Sequence, residues 1–315
     1  MNVRRPHISG AALAAVAVLG IGSLSACSTD SAAADGRFDV VASFYPMQVL
    51  AERIGGDHVH VTTLTEPGQE PHELELSLRQ RAELEESDAA LYLSGLQPSV
   101  DEAIDQAGLK TKIDAAHLTK LEDHGDVEHD HGGEEHPEEE EHSLDPHVWL
   151  DPVKYAEIAE GVGTAFAKAD PDHAADYRKN TDALVDRLHA LDTEFRDGLK
   201  NTKTKVFFTN HASFGYFAER YGLTQEAISG VDPESEPSPA RIRELREEAR
   251  ADGVTTVFYE TLVSGKTAKT LADDAGLRTD VLDPLEGLTD RSKGDDYFAV
   301  MEANLTALKK ALGAR

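Results

Sequence analysis

The sequence is poor in cysteine, with one in 315 residues, Cys27. No intramolecular disulfide can form, and no thiolate cage for a metal ion is available, so a transition-metal site here must be built from imidazole and carboxylate. Basic residues are also scarce, 31 Lys and Arg against 59 Asp and Glu, for a formal net charge of -28. That balance excludes the basic face nucleic-acid binding requires and suits a protein that attracts cations. Aromatic residues make up only 6% of the chain, but 40% of it is hydrophobic, enough for real cores. The length fits two domains rather than one.

Only one long uncharged apolar run occurs, at the N-terminus. Arg4 and Arg5 precede the apolar and small residues 8–24, and the run closes on Leu24-Ser25-Ala26-Cys27. This reads as a cleaved secretion signal rather than a membrane span. The Leu-Ser-Ala-Cys ending resembles the bacterial lipobox, in which cysteine becomes the lipidated first residue. Residues 1–27 are therefore expected to be a lipoprotein signal and 28–36 a polar tether. The mature protein is expected outside the cytoplasm, on the outer face of the cell membrane, held by its lipid alone.

Beyond the tether, apolar runs of strand and helix period alternate. Strands are expected over 38–44, 58–64 and 89–93, and helices over 46–54, 78–87 and 100–107. A second series has strands over 205–208, 225–228, 254–259 and 279–282, and helices over 214–220, 239–251, 268–275 and 297–312. Such alternation predicts parallel sheets in an α/β fold with two halves, 37–170 and 201–315. Between them, Tyr177, Leu184, Leu188, Leu191 and Phe195 fall on one helical face, and a long linking helix is expected over 171–200, with a helix packed inside one domain as the alternative. From Glu122 to His142 the chain holds eleven acidic residues, five histidines (His124, His129, His131, His136, His142) and no basic one. No apolar period survives there. Residues 117–143 read as a mobile loop suited to weak, multiple metal capture, or else as a solubilising charge block.

Three other histidines stand at junctions between elements: His72 in Glu70-Pro71-His72-Glu73, His147 in Asp145-Pro146-His147-Val148-Trp149, and His211 in Thr209-Asn210-His211. Asp283 directly follows the last expected strand. In open α/β sheets ligands gather beyond the carboxyl ends of strands, and His72 and His211 are expected at equivalent places in the two halves. Three imidazoles and a carboxylate suit Zn²⁺. Trp149 and Phe214 are expected to wall the site or pack in the core, Glu260 to orient a histidine or lie on the surface, and Glu236 to belong to a turn.

The ordered motifs EPHELELS, DPHVWLDP, TNHASFGYFAERYGL, PESEPSP, VFYETLVSGKTAKTLADDAG and LDPLEGL, after a lipobox, resemble the zinc-binding proteins of metal ABC transporters, the ZnuA-like members of metal-binding cluster A-I. The resemblance implies two Rossmann-like α/β lobes joined by one long rigid helix, with the metal between them. It also implies a partner permease and ATPase, a monomeric chain and no catalysis. Its ligands carry over to His72, His147 and His211, with Asp283 assigned by position and Glu70 in reserve. ELELS departs from the family's usual continuation after the first histidine, and no lobe disulfide is possible. His211 stands where manganese-binding relatives carry glutamate, so Zn²⁺ is favoured over Mn²⁺ as the transported ion. An adhesin or metal buffer working without a transporter, and a zinc hydrolase, are the alternative functions. The hydrolase is disfavoured because no HExxH is present.

Overall fold

The computed structural model describes residues 36–124 and 144–314. The expected lipidation site Cys27, nearly all of the tether, and four loop histidines (His129, His131, His136 and His142) lie outside the described residues. Arg37–Arg315 forms one compact unit. Among the described residues no helix is long and apolar enough to cross a membrane.

Two four-stranded parallel sheets make up the fold. In the first, β1 (Phe38–Ala42), β2 (Val59–Thr63), β3 (Ala89–Tyr92) and β4 (Thr111–Asp114) lie in the order β2-β1-β3-β4. In the second, β5 (Val206–Thr209), β6 (Thr224–Ala227), β7 (Thr256–Tyr259) and β8 (Arg278–Val281) repeat that order as β6-β5-β7-β8. Helices α1 (Tyr45–Gly55), α2 (Leu78–Glu86) and α3 (Pro98–Gln106) make the crossovers of the first sheet, and α6 (Gly215–Tyr221), α7 (Pro239–Ala251) and α8 (Lys266–Ala275) those of the second. Parallel strands demand such crossovers, and the short apolar runs between turn signals supply the strands. Two helix starts show a clear local cause. Ser77 and Gln80 close a capping box on α2, and Asp151 caps α4 (Pro152–Ala169), whose first residue is proline.

Helix α5 (Ala174–Leu199) follows a 3₁₀ turn at Pro171–His173 and buries Tyr177, Leu184, Leu188, Leu191 and Phe195, the face read from the sequence. It packs against α1, α4, α6 and α9 (Tyr297–Leu312). Its buried face belongs to a continuous apolar core that runs from Val40 and Trp149 to Phe207 and Leu308, through both lobes. The helix is thus part of the core and not a bare strut. The α4–α5 contact is close because Gly163 has no Cβ, which would otherwise lie 2.1 Å from Thr181 Oγ1. Two smaller apolar clusters, around Leu64, Leu84 and Ile104 and around Phe208, Leu245 and Leu271, cover the outer faces of the sheets. Both sheets therefore have helices on both faces, and their carboxyl edges are left to carry the site.

Candidate metal centre

Three of the expected ligands converge. His211 follows β5, where Thr209 Oγ1 and Gln225 Nε2 both donate to its carbonyl oxygen (2.8 and 2.9 Å) and fix the turn. His147 precedes a 3₁₀ turn (Val148–Leu150), with its backbone N–H donating to Asp145 Oδ1 at 2.9 Å. His72 sits in the loop between β2 and α2, where its backbone N–H donates to Glu70 Oε1 at 3.0 Å. His147 and His211 are fully buried, and the His72 side chain is 11% exposed. The expectation that His72 and His211 stand at equivalent places in the two lobes is not met. His72 follows the second strand of its sheet and His211 the first of its own, because β1 and β5, not β2 and β5, are the matching strands.

The carboxylate beside them is Glu286, not Asp283. Glu286 Oε1 lies 3.4 Å from His72 Nε2, 3.3 Å from His147 Nε2 and 3.2 Å from His211 Nε2. His147 Nε2 and His211 Nε2 are 3.4 Å apart. In a zinc tetrahedron with bonds of about 2.0–2.1 Å the ligand atoms stand roughly 3.3–3.4 Å from one another, 1.63 times the bond length. These four separations, 3.2 to 3.4 Å, lie within about 0.1 Å of those edges.

Asp283 is committed elsewhere. Its Oδ1 accepts from the Leu285 N–H at 3.0 Å, and its Oδ2 from Thr261 Oγ1 and Ser292 Oγ at 3.1 and 2.9 Å. Asn304 clamps the same residue, accepting from its N–H (3.0 Å) and donating to its carbonyl (2.7 Å). The turn this builds holds buried Leu285 at φ 59°, a left-handed conformation that costs a branched residue energy and persists only when its surroundings enforce it. Asp283 thus shapes the turn that presents Glu286. An aspartate before proline is a turn signal, the cue in the sequence that could have pointed to this role. Glu70, the reserve candidate, has an oxygen 4.0 Å from His72 Nε2 but spends its carboxylate on the N–H groups of His72 and Glu73.

Each buried imidazole is held from behind. His147 Nδ1 lies 2.8 Å from Asp145 Oδ1, and His211 Nδ1 lies 2.6 Å from Glu260 Oε1. Donation from Nδ1 fixes the tautomer that leaves Nε2 free for a metal. Asp145 was not singled out from the sequence, although its spacing two residues before His147 is what the contact needs. Glu260 is 3% exposed, so its role is at the histidine and not at the surface. Glu260→Gln keeps the shape but removes the charge, and should lower zinc affinity by about 10- to 100-fold, as measured by chelator competition. Trp149 is buried with its ring 5.2 Å from that of His147, and its Nε1 donates to Pro284 O at 2.8 Å, so it walls the site. Phe214 packs instead against Phe207 and Phe217 in the second lobe. Glu236 is exposed, just ahead of the Ser238 cap of α7.

Electrostatics make the cluster a place where protons and cations compete. Burial alone pushes the Glu286 carboxyl up, but the charge on His211 and bonds from all three histidines outweigh it and hold it well below its ordinary value. Burial pulls His211 down, yet Glu260 and Glu286 hold it well above its ordinary value. His147 is likewise raised, with Asp145 and Glu286 outweighing burial. Glu286 Oε2 and Glu260 Oε2 are buried without a hydrogen-bond partner. Buried polar atoms are rarely left so, and a cation at the cluster would answer that need for Glu286, whose other oxygen faces the three Nε2 atoms.

Residues 40–311 match the family described as "ZnuA: Zinc-uptake complex component A periplasmic". The chain belongs to this family. It is 38% identical over 297 residues to the zinc-binding lipoprotein AdcA of Streptococcus pneumoniae, covering 91% of this chain and 58% of that protein. It is 34% identical over 300 residues to the high-affinity zinc uptake system protein ZnuA of Bacillus subtilis, covering 92% and 93%. Among solved structures it resembles the Zn(II)-bound ZnuA-like domain of pneumococcal AdcA, with a TM-score of 0.72 and 35% identity over 88% of this chain and 99% of that one. The chain thus spans little more than half the length of the AdcA protein it matches.

Proposed function

We propose that this protein captures Zn²⁺ outside the cytoplasmic membrane and delivers it to an ABC transporter for uptake, tethered by a lipid on Cys27. The observation that carries the reading is the spacing of His72, His147 and His211 Nε2 about Glu286 Oε1, which matches the edges of a zinc tetrahedron. Three nitrogens and one oxygen at such close quarters favour zinc over Mn²⁺, which prefers oxygen-rich octahedral sites. Four protein ligands leave no open position for a reacting water, which argues for binding rather than hydrolysis. The zinc named in its relatives, and the uptake system to which one of them belongs, agree with this role.

The test is growth. Cells lacking this chain should fail in chelator-treated medium and recover with added zinc or with the intact gene. A gene carrying His147→Ala and His211→Ala together should not restore growth. Equal growth of the deleted strain and its parent at every zinc level would sink the transport role.

A further inference from the structure

Glu286 differs from the buried imidazoles in how it is held. His147 and His211 are anchored from behind by Asp145 and Glu260. Glu286 Oε1 faces the three Nε2 atoms, while its Oε2 is buried without a hydrogen-bond partner. With zinc on those nitrogens, the metal bond alone would hold this carboxylate in place. Turning it aside costs no other hydrogen bond.

The same residue borders a cleft of about 310 Å³ between the lobes. Tyr45 and Gln48 from α1, Thr65 and Glu66 from the loop after β2, and Leu288 line it too. Glu66 is exposed, and no lining residue is basic. Gln48 Nε2 donates to Glu52 Oε1 at 2.7 Å, which sets a further carboxylate beside the cleft, and the adjoining cation Arg53 is taken by Asp296 at 2.8 Å. The Tyr45 ring, Pro67 and Leu288 offer an apolar wall to a methylene stem, and the carboxylates suit a charged head. Zinc does not cancel this field. Its two charges fall short of the three carboxylates Glu286, Asp145 and Glu260, so the loaded site still attracts a cation.

We propose that this cleft is the socket for a basic side chain of the transporter, which draws Glu286 off the zinc and weakens the site for release. The proposal rests on the transport reading above. A guest that pairs with the freed carboxylate binds the zinc-free chain more tightly than the loaded one, and by linkage it lowers zinc affinity by the same factor. In a docked complex the guest is held at a high effective concentration, so weak intrinsic binding suffices.

The test uses the full mature chain, n-butylguanidinium as the probe for an arginine side chain and n-butylurea as its uncharged counterpart, at fixed ionic strength. By chelator competition, the zinc Kd should rise about tenfold or more as n-butylguanidinium is added and then level off, because a charge brought within a few ångströms of Glu286 acts through little screening. The uncharged n-butylurea should leave the Kd unchanged. Gln48→Trp, which fills the cleft, should abolish the rise, and Glu66→Gln should increase the n-butylguanidinium needed for it. An unchanged Kd, an equal rise with n-butylurea, or a rise that survives both variants would overturn the proposal. Failure of the transport reading shows elsewhere, as unimpaired growth of the deleted strain, so the two failures are distinguishable.

Discussion

Glu286→Gln should lower zinc affinity by about 100-fold or more, while Asp283→Asn should change it by less than about tenfold. Loss of groups behind the ligands costs roughly 10- to 100-fold, and loss of a ligand that carries the site's charge costs at least the upper end of that range. Glu286 Oε1 faces all three Nε2 atoms, and no other carboxylate joins that group among the described residues. Asparagine at 283 can still accept from the Leu285 N–H, and the hydroxyls of Thr261 and Ser292 can turn to suit the amide. Chelator-competition titrations of both variants measure the ranking. If Asp283→Asn proved the more damaging, the carboxylate ligand would have been misassigned.

Zinc at about 1,000 times its Kd should stabilise the folded chain by about 4 kcal/mol at neutral pH, by linkage alone. For a unit of this size that is a rise in Tm on the order of 10 °C. The rise should shrink in acid. When no ion bridges the cluster, His147 and His211 are held above their ordinary values. Their pairing with the carboxylates stabilises the fold fully below the unfolded value near 6.5 and is lost as pH climbs through the raised folded values. Glu286 has the opposite sign: its contribution is present above the unfolded value near 4.5 and fades as pH falls through its lowered value. Between these limits protons occupy the nitrogens that zinc needs, so binding must release roughly one proton or more. Calorimetry in buffers of different ionisation enthalpy counts that release, and melting curves at pH 7.5 and 5.0 follow the shrinking shift. A zinc-dependent Tm shift that stays the same at both pH values would contradict proton competition at these histidines.

Much of the fold was legible because parallel strands buried on both faces read as short apolar runs, and helices α7 and α9 begin and end where the sequence placed them. Strand β4 escaped because Thr-Lys-Ile-Asp at an edge buries only Ile113. Helix α4 was not placed from the sequence: Pro152 is a fit first residue, but the small residues Ala156, Ala159 and Gly163 pack closely without a strong apolar stripe. At the site, His72, His147 and His211 were legible because each stands alone at a junction between elements. Glu286 was not. A carboxylate immediately after a strand looked like the ligand, and the hydrogen bonds that commit Asp283 to its turn come from Thr261, Ser292 and Asn304, residues distant in sequence or carried on another element. Side-chain direction past a left-handed leucine cannot be read from spacing. His124 was grouped with the acidic run, whereas the structure holds it between Asp145 and Glu219.

The central claim is that zinc is held by His72, His147, His211 and Glu286 together. Anomalous diffraction at the zinc edge from the zinc-loaded chain tests it most directly. The strongest peak should lie about 2.0–2.1 Å from the three Nε2 atoms and a Glu286 oxygen, with no water in the fourth position. A peak coordinated by Asp283, by a water in place of Glu286, or away from these histidines would contradict it.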